Sequence, residues 1–126
     1  MVEHPIEKVA IWKTPGKGFD NMFVAASLGG ILYVYEKTNQ LRLKLVHPDG
    51  VNNVIFMPGD VPRVMTAGLD GKLRIWDCRN GEPLLELSGH QDTILDLQIK
   101  GMHVTSASDD HTVRYWDLNE LQENKN

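Results

Sequence analysis

One cysteine, Cys78, stands in 126 residues. That excludes an internal disulfide and a cysteine-rich zinc site, and leaves Cys78 as filler beside the Trp76-Asp77 corner. Long apolar runs are missing as well: no stretch approaches the roughly 20 residues that cross a bilayer as a helix. The first ten residues carry Glu3, His4, Pro5, Glu7 and Lys8, which is not the make-up of a signal peptide. A soluble intracellular protein, cytoplasmic, nuclear or both, is the expectation, with no membrane partner. Basic excess is also lacking. Thirteen Lys and Arg against 17 Asp and Glu give a formal charge of −4, and no Lys/Arg run forms the basic face that direct nucleic-acid binding requires. Sustained helical periodicity is absent, so long amphipathic helices are not expected.

What the chain does have is an internal echo. His47, Thr66, Asp70 and Trp76 recur as His90, Ser106, Asp110 and Trp116. The tryptophans stand 40 residues apart and the histidines 43; in each unit the hydroxyl residue precedes the aspartate by four and the aspartate precedes the tryptophan by six. A period of about 40–45 residues that opens near Gly-His and closes on Trp-Asp is a propeller-blade signature. A worn copy lies upstream, with Tyr35-Glu36 at the Trp-Asp position, Gly29 at the aspartate position and Ala25 at the hydroxyl position. His4-Pro5 precedes His47-Pro48 by 43 residues. The expected division is a degenerate repeat over 4–45, a repeat over 47–88, an incomplete repeat over 90–119, and a polar tail over 120–126.

Strand signals follow the same order in each unit. In the second, segments 51–57, 63–68, 72–76 and 83–87 are separated by Pro58-Gly59-Asp60, Asp70-Gly71 and Arg79-Asn80-Gly81, all turn formers. The third repeats this with 94–99, 103–108 and 112–116, and the first with 23–27 and 31–35 about Gly29-Gly30. Short connections mean antiparallel neighbours, and eleven strands are expected in all. Segment 31–35 is apolar at every position, so both of its faces should be covered. The second strands carry small residues (Ala25-Ala26, Thr66-Ala67-Gly68, Ser106-Ala107), read here as room for close approach near a crowded axis.

Gly89-His90 through Trp116-Asp117, and His47 through Trp76-Asp77, resemble the WD-repeat family. The resemblance implies an all-β fold of three blades of antiparallel sheet in a partial, open β-propeller, the last blade lacking its fourth strand. It also implies a hydrogen-bonded chain from Trp to Ser/Thr to His to Asp, so that Trp76, Thr66, His47 and Asp70 clamp one blade, and Trp116, Ser106, His90 and Asp110 the next. Such buried groups are tolerable when each is paired. Ser, His and Asp also make a hydrolase triad. Here the set appears twice at a fixed period without a Gly-x-Ser-x-Gly elbow, so no catalytic residue and no enzyme is expected. No cofactor or metal is expected either; His111 beside Asp109 and Asp110 reads as a solvated turn.

Function is then expected in loops on a rigid scaffold, as contacts to other proteins. Leu28, Asp49, Leu69, Gln91, Asp92 and Asp109 should emerge on one rim, with Leu28 and Leu69 as exposed apolar knobs at equivalent turn positions. Trp76-Asp77-Cys78-Arg79 resembles the Trp-Asp-x-Arg box, which implies a substrate receptor of a cullin-type ubiquitin ligase with Arg79 as docking cation; the third unit has Asn119 there. Residues 23–108 are also similar to a branch of the family with ribosome-assembly members, which implies a ribosomal-protein chaperone or scaffold. Closed propellers take about four to eight blades, so three leave open sheet edges of the kind proteins cover. Three arrangements would cover them: a fragment or short isoform of a longer propeller protein, a homodimer with six blades, or completion by another propeller subunit.

Overall fold

The computed structural model describes residues 5–12, 22–36, 40–47, 49–59 and 61–119; His4 and the tail over 120–126 lie outside them. Eleven strands form three antiparallel sheets among the described residues. The first contains β1 (Ile6–Ile11), β2 (Phe23–Ser27), β3 (Ile31–Glu36) and β4 (Gln40–Val46), hydrogen-bonded in that order. The second contains β5 (Val51–Phe56), β6 (Arg63–Gly68), β7 (Leu73–Asp77) and β8 (Glu82–Leu87). The third has three strands among the described residues, β9 (Ile94–Lys100), β10 (His103–Ser108) and β11 (Val113–Asp117), with β10 in the middle. This is the expected all-β, unclosed stack of blades.

The central hairpins share one register: Phe23 faces Tyr35, Val64 faces Trp76 and Val104 faces Trp116. Their turns require left-handed backbone, supplied in the first two by Gly30 (φ +88) and Gly71 (φ +82), where glycine carries no Cβ penalty, and in the third by His111 (φ +71). Strands β7 and β11 begin one residue later than the sequence pattern predicts. Asp70 Oδ1 accepts from the Lys72 amide (3.2 Å) and Asp110 Oδ1 from the Thr112 amide (2.9 Å), so each turn holds the residue that was expected to open the strand.

The second sheet is buried on both faces. Val54, Val64 and Trp76 pack with Val24, Ala26, Leu32 and Val34 of the first sheet. Met65, Leu73 and Ile75 pack with Ile94, Leu97 and Val104 of the third. In the first sheet, Leu32, Tyr33 and Val34 are fully buried, as their unbroken apolar run predicts. The small residues of the second strands lie where neighbouring sheets come together. First strand β5 lies against both β1 and β9, while β2 and β6 lie against the first strand of the next sheet. Small side chains on β2 and β6 therefore let neighbouring sheets approach.

Candidate functional site

Four elements converge in the third repeat: the lead-in loop brings His90, β10 brings Ser106, the hairpin turn brings Asp110, and β11 brings Trp116. The Trp116 indole Nε1 donates to Ser106 Oγ at 3.0 Å. An indole only donates, so the Ser106 hydroxyl is free to donate onward to His90 Nε2, 2.7 Å away. That leaves His90 Nδ1 to donate to Asp110 Oδ2 at 3.0 Å. Asp110 further accepts from the Gln91 and Thr112 amides. The Thr112 hydroxyl bond first, then the Gln91 amide and His90, hold its carboxyl well below the usual range.

The second repeat makes the same start and a different end. Trp76 Nε1 donates to Thr66 Oγ1 at 3.1 Å, and Thr66 Oγ1 lies 2.9 Å from His47 Nε2. His47 Nδ1 then donates to the Leu45 carbonyl at 3.2 Å, so Asp70 is not part of this chain, contrary to the expected quartet. Arg74 holds Asp70 instead, with Nη2 to Oδ2 at 2.8 Å and Nη1 to Oδ1 at 3.4 Å. A permanently charged two-pronged donor outcompetes a neutral imidazole for a carboxylate. Gly68 makes the room: a Cβ there would lie 2.5 Å from Asp70 Oδ1 and 3.3 Å from Arg74 Nη1. In the third repeat Ser108 fills that position and its hydroxyl accepts from the Asp110 amide at 3.0 Å. Burial opposes ionisation of Asp70, and the Arg74 guanidinium with the Lys72 amide outweighs it, so the carboxyl stays below its ordinary range. Burial lowers His47 from 6.5 to about 4.

Sequence reasoning passed over Arg74. The available signal was a charged residue inside an apolar strand, repeated 40 residues on as Arg114. Among the described residues the worn first repeat shows no such chain: Ala25 is buried at the hydroxyl position and Tyr35 stacks on Phe23 with centroids 4.8 Å apart. Chemically, the two hydroxyls are consumed. Thr66 and Ser106 are each 1% exposed, bracketed by an indole and an imidazole, and neither Oγ faces solvent.

Solvent is met instead by a band of loops. The Leu69 amide donates to the Gly50 carbonyl, the Thr93 hydroxyl to the Leu69 carbonyl, and the Asp109 amide to the Thr93 carbonyl. These bonds tie the turns at 69 and 109 to the lead-in loops at 49–50 and 90–93. Gly30 closes the band at its other end, its Cβ position 2.8 Å from the Asp49 carbonyl oxygen. Leu28, Asp49, Gln91, Asp92 and Asp109 are exposed along it. Leu69 is not the expected exposed knob. It is half-buried, folded over Gly50, whose Cβ position lies 2.5 Å from its Cδ1.

Arg79 sits at the far end of β7, away from that band. Its guanidinium grips Asp77, with Nη2 to Oδ2 at 2.8 Å, so Arg79 is half-exposed and already paired. The Arg79 amide bond to Asp77 Oδ1 (2.9 Å) recurs as Asn119 to Asp117 (3.0 Å). The corner's backbone therefore does not depend on the cation. Cys78 is fully buried there, and burial pushes its thiol up to about 12. Along β1, β5 and β9 runs an open trough lined by Ile11, Trp12, Phe56 and Gln98, with the buried Trp12 Nε1 unpaired.

The family described as WD domain, G-beta repeat matches residues 39–77 and 81–117, more than half of the chain. The chain belongs to the WD-repeat family. Each matched segment takes in the outer strand of one sheet and the first three strands of the next, so repeat and sheet are offset by one strand. An uncharacterized WD repeat-containing protein of Schizosaccharomyces pombe is 35% identical over 73% of this chain and 24% of its own length. Angio-associated migratory cell protein of Canis lupus familiaris is 32% identical over 77% of this chain and 23% of its own. The Homo sapiens protein of that name is also 32% identical, over 77% and 24%. Thus the chain spans about a quarter of the length of these curated relatives. Among solved structures, the computationally designed Ika8 protein superposes with a TM-score of 0.68 at 29% identity, over 78% of this chain and 30% of that one. WD-repeat proteins generally act in protein–protein interactions, and the family is generally non-catalytic.

Proposed function

We propose that this chain is a non-catalytic interaction scaffold that presents the loop band to another protein. The carrying observation is the division of polar groups. Thr66, Ser106, His47 and His90 are spent inside the stack, while Leu28, Asp49, Gln91, Asp92 and Asp109 are exposed along a contiguous rim. Leu28, 41% exposed at one end of the band, is the apolar contact; the three carboxylates favour a partner with basic groups opposite them. Three sheets do not close a ring among the described residues, which supports these sheets working as part of a larger propeller. An affinity pull-down with mass spectrometry tests the reading. Partners recovered by the wild-type chain should be lost on Leu28→Asp combined with Asp92→Lys. Recovery unchanged by both changes would contradict it.

A second reading, a receptor of a cullin-type ligase, draws support from the fixed, half-exposed guanidinium of Arg79. It predicts that a cullin adaptor co-purifies and that Arg79→Ala abolishes this; an adaptor that survives the change removes the reading. The resemblance of residues 23–108 to a branch with ribosome-assembly members makes a ribosomal protein a candidate partner for the same rim.

A further inference from the structure

Three steps in the chain join an aspartate or asparagine to glycine: Asp49-Gly50, Asp70-Gly71 and Asn80-Gly81. At such a step the glycine nitrogen can reach the preceding side-chain carbonyl carbon, because no Cβ crowds it. The fold treats the three differently. The Gly71 amide donates to the Gly68 carbonyl at 3.2 Å and the Gly81 amide to the Asp77 carbonyl at 2.8 Å, so both N–H groups are spent on the main chain. Their side chains are engaged elsewhere: Arg74 and the Lys72 amide hold Asp70, and Asn80 Oδ1 accepts from the Glu82 amide at 2.9 Å. Gly50 instead donates to Asp49 Oδ1 at 2.8 Å. That bond folds the exposed Asp49 carboxyl group back over the nitrogen, the arrangement from which a five-membered ring closes. The same fold-back recurs at Asn53, Asp92 and Asp96, whose Oδ1 atoms accept from the next amide at 2.9, 2.7 and 2.9 Å. There the next residue is Val54, Thr93 or Leu97, and a side chain stands beside the nitrogen.

We propose that Asp49 is a site of spontaneous isoaspartate formation in the folded chain. With the carboxyl group protonated, the Gly50 nitrogen bonds to Asp49 Cγ; the nitrogen's proton and the Cγ hydroxyl leave as water, and a succinimide ring results. Water then opens the ring. Cleavage at the former main-chain carbonyl leaves the backbone running through Cγ, which is isoaspartate, and cleavage at Cγ restores aspartate. Charge and mass are unchanged; only the connectivity moves, and no oxidant or cofactor takes part. The added backbone methylene lands where there is least room, since a Cβ at Gly50 would lie 2.5 Å from Leu69 Cδ1 and 2.7 Å from the Leu28 carbonyl oxygen. Isoaspartate at 49 therefore pushes the turns at 28 and 69 away from the lead-in loop. The modification stands or falls whether or not a partner binds the rim.

The full chain is aged at neutral pH, native and in urea, and peptide maps with fragmentation that separates isoaspartate from aspartate score positions 49, 70, 80 and 92. In urea Asn80 should convert first, because ammonia leaves more readily than water, and Asp49 and Asp70 should convert alike. In the native chain the order should change: Asp49 should lead Asp70, Asn80 and Asp92 by about tenfold, a modest share of what a near-attack orientation supplies. Asp49→Ser keeps an oxygen for the Gly50 amide but has no Cγ, and should abolish the signal at that step; Asp49→Asn should speed it. Native conversion at Asn80 as fast as in urea, or at Asp49 no faster than at Asp70, overturns the proposal. So does an Asp49 that converts in urea and stays intact in the native chain, because the packing around Gly50 would then forbid the ring.

Discussion

Arg74 takes the carboxylate that the next repeat gives to a histidine: its Nη2 lies 2.8 Å from Asp70 Oδ2, while Asp110 Oδ2 lies 3.0 Å from His90 Nδ1. Two quartets that match in residue type therefore build different networks. In the third repeat the polar chain runs from indole to carboxylate. In the second it stops at a backbone carbonyl, and the aspartate forms a separate ion pair in contact with β8.

The shorter chain leaves His47 neutral and buried, and this fixes the sign of an acid response. The folded value is about 4 against 6.5 for the free side chain. Stability is present in full above about pH 6.5 and falls as pH drops toward 4, because the unfolded chain takes up the proton first. The expected loss from this group is about 2 kcal/mol between pH 7.5 and 5. Denaturant midpoints across that range measure it. His47→Gln should lower stability at pH 7.5 and flatten the decline; Asp110, also held low, adds its loss only below the ordinary carboxyl value of 3.8.

Gly71 is constrained twice, by φ +82 and by the His90 and Asp92 carbonyl oxygens 2.6 and 2.8 Å from a Cβ position. Gly101 has φ +61 and nothing within 4 Å. Gly101→Ala should cost about 1 kcal/mol from backbone conformation alone, and Gly71→Ala distinctly more, of order 2–4 kcal/mol. Urea unfolding of the two variants side by side checks the order.

Cys78 should be inert in the folded chain. Its thiol is fully buried and pushed up to about 12, so little thiolate forms at neutral pH. Iodoacetamide should label it at a rate set by unfolding, and at full speed in denaturant. Rapid labelling of the native protein would show that the Trp76-Asp77 corner opens.

The strand order was legible because its turn signals repeat, and the Trp–hydroxyl–His contacts because the resemblance to the WD-repeat family implied them. The role of Asp70 was not, because aspartate accepts equally well from imidazole and guanidinium. Its partner is decided by Arg74 and by the space over Gly68, neither of which the spacing reveals. Leu28 and Leu69 illustrate the same limit: one letter at one turn position gives an exposed and a half-buried side chain, because only Leu69 folds over Gly50. The three-stranded third sheet among the described residues was legible from the missing fourth strand signal, whereas the release of Arg114 from the turn carboxylate shows only once Asp110 is seen to bind His90.

Double-mutant cycles on the two histidine–aspartate pairs test most directly whether these quartets are internal struts with distinct wiring. His90→Ala with Asp110→Ala should show a coupling of about 1–2 kcal/mol in unfolding free energy, the range for a hydrogen-bonded pair in one network. The same cycle on His47 and Asp70 should show none, and on Asp70 and Arg74 a measurable one. Equal coupling in both histidine pairs, or none in either, would contradict the account.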